Sequence, residues 1–121
     1  MEERILMAHG NGGERMNDLI GNLITEILGK ESIQLDDSAV LEFAGGKLVF
    51  TTDTYTITPL FFEGGDIGKL AVNGTVNDLS VMGARPMFLS CGFVLEEGLN
   101  VDTLKRILQS MRQAAIRANL R

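Results

Sequence analysis

Residues 64–86 read GGDIGKLAVNGTVNDLSVMGARP, and the fold turns on this stretch. It opens with a glycine pair and an acidic cap, Asp66, and continues as a helix from about Asp66 to Met82 before Gly83 and Pro86 stop it. Ala71, Gly74, Thr75 and Asp78 fall three, four and seven positions apart, so they share one helix face with almost no side-chain bulk. Another backbone or a ligand can approach that face closely. Gly68 and Gly74 should each cost about 1 kcal/mol relative to alanine. Close packing accounts for the glycines, but not for Asn77 and Asp78. The helix macrodipole is negative where Asp78 lies, which disfavours an exposed carboxylate by roughly 0.3–1 kcal/mol.

Upstream, Val40 to Phe43 and Lys47 to Thr52 flank Ala44, Gly45 and Gly46, the turn chemistry of a β-hairpin. A further short strand is expected from about Tyr55 to Thr58. Asp36 and Asp37 open the run DDSAVLEF, and Asp53 ends the second hairpin strand. A lone aspartate at a strand end is ordinarily a turn former. Three carboxylates converging repel one another and call for a cation. Oxygen ligands shared with substrate phosphates are what magnesium prefers.

At the amino terminus a short apolar piece, Ile5 to Ala8, leads into HGNGG at residues 9–13. Met16, Leu19, Ile20, Leu23, Ile24, Ile27 and Leu28 then recur at helical spacing, with Gly29 available as the cap. A glycine-rich loop opening into a helix is a plausible anion cradle. It lacks the lysine and serine or threonine of a P-loop, so a simple amino-terminal turn is the alternative. His9 is the only histidine, and no nucleophile stands near it in sequence.

Residues 30–34 read as a loop. After Pro86 the segment Met87 to Glu96 is strand-like and carries the single cysteine, Cys91, which is expected to be buried there. Asn100 is placed to cap a last helix whose stripe is Val101, Leu104, Ile107, Leu108, Met111, Ala114 and Ala115, with Lys105, Arg106, Arg112 and Arg117 mostly outside it.

The order predicts an α/β or α+β layer, a small mixed sheet with helices on one face. The 121 residues suit one domain, 1–121. A formal charge of −5 with no dense basic run excludes a non-specific nucleic-acid binder. No apolar run approaches the roughly 20 residues of a membrane span, and no signal peptide opens the chain, so a cytoplasmic location is expected. The sequence stops just after a helix, where a further strand is expected, and so reads as a fragment or a shortened protein.

Taken together, HGNGG, DDSAVL and the run from Thr51 to Gly98 resemble the amino-terminal domain of the HypE family, the carbamoyl dehydratases of hydrogenase maturation. PLFFEGGDIGKLAV narrows the match within the PurM-like superfamily of aminoimidazole ribonucleotide synthetase, selenophosphate synthetase and thiamine monophosphate kinase. The resemblance implies a domain that pairs with its twofold mate into a β-barrel, a homodimer binding ATP and magnesium near the interface. It implies Asp36, Asp37, Asp53 and Asp78 for magnesium and phosphate. It also implies His9, Gly10, Gly12 and Gly13 for a loop over the nucleotide phosphates, with Asp66, Gly68, Lys69 and Asn77 on the matching helix.

The implied reaction is ATP-dependent dehydration of a thiocarbamate on a C-terminal cysteine to a thiocyanate, the source of cyanide for nickel–iron hydrogenase. The implied partners are the carbamoyl transferase HypF and the HypC/HypD scaffold complex. Against the family pattern, this chain ends before a strand bearing an Asp and a Lys, has no carboxy-terminal domain, and carries Arg121 rather than a terminal cysteine. No catalytic residue is therefore assigned. The alternatives are a non-catalytic dimerisation or docking module, and a superfamily relative acting on another substrate.

Overall fold

The computed structural model describes residues 2–29 and 35–120. The expected loop at residues 30–34 and the terminal Arg121 lie outside the described residues. A short 3-10 turn, Met7–Gly10, precedes α1 (Glu14–Leu19). This helix runs through a π turn, Ile20–Ile24, directly into α2 (Thr25–Leu28). The widened turn forms where the Thr25 hydroxyl and backbone N–H both donate to the Ile20 carbonyl, five residues back. Strands β1 (Phe61–Phe62) and β2 (Gly65–Asp66) pair antiparallel, Phe61 opposite Asp66. Helices α3 (Ile67–Val81) and α4 (Val101–Arg117) complete the fold.

The core is built on α4. Its stripe Leu104, Ile107, Leu108, Met111 and Ala114 is buried, as the spacing predicts, and meets Leu19 and Leu23 from the first helical stretch, Val72 from α3, and Ile5. Asn100 caps the helix by accepting the Asp102 N–H at 2.8 Å. The amino terminus is tied to the same place. Ile5 N–H donates to the Leu99 carbonyl at 2.7 Å, and Val101 N–H to the Glu3 carbonyl at 2.8 Å.

Helix α3 crosses α4 at Gly68. A Cβ there would stand 2.5 Å from the Ile107 carbonyl oxygen and 2.9 Å from Met111 Cγ, so glycine is what lets the two backbones touch. Asp66 starts the helix by accepting the Lys69 N–H at 2.8 Å.

The expected sheet is corrected in three places. Val40 to Phe43 and Lys47 to Thr52 form no ladder, although Gly45 and Gly46 take the positive φ values, +96° and +90°, that the turn requires. Tyr55 to Thr58 and Met87 to Glu96 likewise have no strand partner, and the one sheet among the described residues is two-stranded and antiparallel rather than mixed. The cause is a missing neighbour: an isolated hairpin is marginal in water without a further strand or a helix to cover it, and here Val40 and Phe50 lie open, 85% and 82% exposed. Cys91 is exposed rather than buried, although Leu89, Phe93 and Leu95, which alternate with the same parity, pack on the core.

Candidate functional site

Two of the four aspartates singled out from the sequence meet. Asp53 stands on the irregular run ahead of β1 and Asp78 in the last turn of α3, and their carboxyl groups lie close enough to interact. Hydrogen bonding to Asp78, then desolvation, then the Asp78 charge, raise the Asp53 pKa above its ordinary value of 3.8. Both side chains face solvent. Carboxylates this close resist double ionisation, so the pair favours either a shared proton or a bound cation. Two carboxylates are also the donor set with which magnesium is commonly held, the rest of its shell coming from water and phosphate oxygens.

Asp36 and Asp37 lie exposed on a bend at the start of the irregular run. Among the described residues no group of three or more acidic, histidine or cysteine side chains gathers in a way that could hold a metal. The chain brings together a pair, not a cluster.

In the glycine-rich loop His9 is an anchor. Its side chain is 3% exposed, Nδ1 accepts the Leu6 N–H at 2.9 Å, and Nε2 lies 3.4 Å from Glu2 Oε2. Beyond it, Gly13 N–H donates to Asn11 Oδ1 at 2.9 Å and Gly12 N–H to Met16 Sδ at 3.2 Å. A Cβ on Gly10 or Gly12 would meet nothing within 4 Å, so the loop borders open space. Gly12, at φ +79°, needs to be glycine for its backbone alone.

The remaining residues split between the two ends of α3. Asp66, 3% exposed, is occupied in capping, Gly68 in the crossing with α4, and Lys69 Nζ donates to the Gly64 carbonyl at 3.1 Å. Asn77 is exposed beside Asp78, about 16 Å along the axis from the cap.

Two features escaped the sequence reading. Tyr55 lies against Gly74, filling the space above the bare helix face. The spacing held a signal: Tyr55 follows Asp53 by two residues, and Gly74 precedes Asp78 by four. Arg106 caps the Phe61 ring, 4.0 Å from its centroid, at the edge of a cavity of about 330 Å³ lined also by Asp66, Lys69, Gln109, Ser110 and Gln113. Helical spacing placed Arg106 outside the stripe but could not show the aromatic ring beneath it.

Residues 35–121 match the family model described as AIR synthase related protein, N-terminal domain. The chain is 48% identical over 124 residues to the carbamoyl dehydratase HypE of Rhodobacter capsulatus, covering 99% of this chain and 36% of that relative. It is also 48% identical over 122 residues to the carbamoyl dehydratase HypE of Escherichia coli (strain K12), covering 96% and 36%. Among solved structures it resembles the hydrogenase maturation protein HypE in complex with ATP, with a TM-score of 0.88 and 47% identity over 95% of this chain and 34% of that one. A second likeness is to E. coli HypE, with a TM-score of 0.80 and 47% identity over 87% of this chain and 35% of that one. The chain thus spans about a third of the length of the relatives it matches. No helix among the described residues is long and apolar enough to cross a membrane.

Proposed function

The chain belongs to the AIR synthase related protein family, and we propose that it is the ATP- and magnesium-binding amino-terminal domain of a carbamoyl dehydratase of hydrogenase maturation. The observation that carries this reading is likeness along almost the whole chain, 47% identity at a TM-score of 0.88, to a HypE protein in complex with ATP. The paired carboxylates of Asp53 and Asp78 support it, because two adjacent acids at a helix end are the local chemistry that a magnesium–phosphate site needs.

In this reading Asp53 and Asp78 hold the cation, with Asp36 and Asp37 contributing from the preceding run. Gly10, Gly12 and Gly13 cover the phosphates, and His9 pins the loop by its buried ring. Asp66 and Gly68 fix the start of α3 and its seat on α4, while Lys69 and Asn77 flank the nucleotide. Magnesium–ATP, when bound, supplies phosphorylation of a carboxamide oxygen, which turns a poor leaving group into a good one. The whole protein's reaction is then dehydration of a thiocarbamate on a C-terminal cysteine to a thiocyanate, in the cytoplasm and as a homodimer. Its partners are the carbamoyl transferase HypF and the HypC/HypD scaffold.

Calorimetric titration of the complete protein with magnesium–ATP tests this. Asp53→Asn and Asp78→Asn should each weaken binding by more than the roughly 10–100-fold that an outer-shell change costs. Unchanged affinity in both variants removes the reading.

A further inference from the structure

A carboxylate pair exposed to solvent does not hold itself together, since its members repel one another once ionised. Something uncharged must keep Asp53 beside Asp78. The backbone around Asp53 offers nothing regular, because residues 51–58 lie in no helix or strand. Their side chains still alternate: Thr51, Tyr55 and Ile57 are half-buried, while Thr52, Thr54, Thr56 and Thr58 are exposed. Asp53 is itself exposed but has the same parity as the inward set and lies two residues before Tyr55, so it leaves the run on the α3 side, at the solvent rim.

On the facing helix, Gly74 and Asp78 are four residues apart and therefore stacked on one side. The ring of Tyr55 occupies the bare surface at Gly74. A Cβ built there would stand 2.9 Å from Tyr55 Cζ, closer than real Cβ atoms sit, and 3.0 Å from Cε1. Two contacts thus run in parallel, Tyr55 on Gly74 and Asp53 on Asp78, one helical turn apart.

We propose that Tyr55, seated on Gly74, is the positioning residue that holds Asp53 against Asp78. Gly74 is a socket for an aromatic ring rather than an opening for a ligand, and the ring sets how far the irregular run stands from α3. This rests on the reading of Asp53 and Asp78 as magnesium ligands for its functional consequence, though not for its geometry. Outer residues that orient metal ligands commonly change affinity by about 10- to 100-fold when altered.

The test uses the full chain and two readouts. In metal-free protein, NMR should show an Asp53–Asp78 β-proton contact in the wild type and in Tyr55→Phe, which keeps the ring on Gly74. The contact should vanish in Tyr55→Ala and in Gly74→Ala, which lifts the ring without removing it. With magnesium–ATP as the probe, Tyr55→Ala should lose about 10- to 100-fold in affinity, and Tyr55→Phe should restore it. In an Asp53→Asn background Tyr55→Ala should cost nothing further, because it acts through Asp53; a general loss of structure would add its own penalty. Persistence of the Asp53–Asp78 contact in both Tyr55→Ala and Gly74→Ala overturns the proposal. A wild-type chain that binds no magnesium–ATP overturns the functional reading instead, while the metal-free contact still decides the role of Tyr55.

Discussion

At the scale of single residues, Asp53 departs from the behaviour of an ordinary surface aspartate. Its pKa is raised, first by hydrogen bonding to Asp78, then by desolvation and by the Asp78 charge. The folded state therefore holds this proton more tightly than the unfolded chain does. The stability that the proton contributes is fully present below the ordinary aspartate range and is lost as pH rises through the raised value. Once the pH has risen past that raised value and no cation is present, the two carboxylates are held side by side and repel. Asp78→Asn removes one charge, so the variant should melt at a higher temperature than the wild type at pH 7 in chelator, and the gap should close as the pH falls toward the ordinary aspartate value of 3.8. Melting curves at several pH values check this; a variant less stable than wild type at neutral pH would show that the repulsion is not felt. Asp53 and Asp78 were legible in the sequence as acids in unusual places, but their partnership was not. The spacings Asp53–Tyr55 and Gly74–Asp78 hold a trace of it, but they acquire meaning only once Tyr55 is found against Gly74.

At the scale of elements, the helices were legible and the sheet was not, for one physical reason. A helix satisfies its backbone internally and announces its buried face every three or four residues, so the α4 stripe and the Asn100 cap could be read directly. Helix α3 was placed within one residue at each end because Asp66 and Gly83 punctuate it. A strand is satisfied only by a neighbour, and local sequence does not say whether the neighbour is present. Its two internal glycines looked alike in the sequence, yet one accommodates a backbone and the other a ring. At Gly68 a methyl group would press into the Ile107 carbonyl, and overpacking of this kind costs about 1–3 kcal/mol. The gain in helix propensity recovers about 1 kcal/mol at most. Gly68→Ala should therefore lower stability by up to about 2 kcal/mol, read as a lower urea midpoint. Gly21→Ala, in the π turn where an added Cβ meets nothing within 4 Å, should be neutral or stabilising by up to about 1 kcal/mol. Equal effects at the two positions would mean that the α3–α4 crossing tolerates a methyl group and that close approach is not what the glycine provides.

At the scale of the whole molecule, the chain is unevenly finished. One side, where α4 meets α3 and the first helical stretch, is a packed core; the other carries extended segments with no ladder partner and large apolar side chains in solvent. Val40 is 85% exposed and Phe50 82%, and Val94 is fully open. Scattered exposed leucines and valines are ordinary on a protein surface, but these lie on runs whose sequences alternate like strands and whose backbone groups lack a partner. Unpaired strand edges of this composition associate readily. The hairpin that the sequence predicts and the single chain does not form is therefore expected to form against a second copy, where a further strand would cover it, in keeping with the proposed homodimer. Sedimentation velocity of the chain should show a dimer that dissociates when Phe50→Asp or Val40→Asp is introduced. Circular dichroism of the dissociated variants should retain the helical signal, because α4 and its core do not depend on residues 40–52. A wild-type chain that remains monomeric at high concentration would leave those residues without a second copy to cover them, and would exclude the barrel as the reason for their pattern.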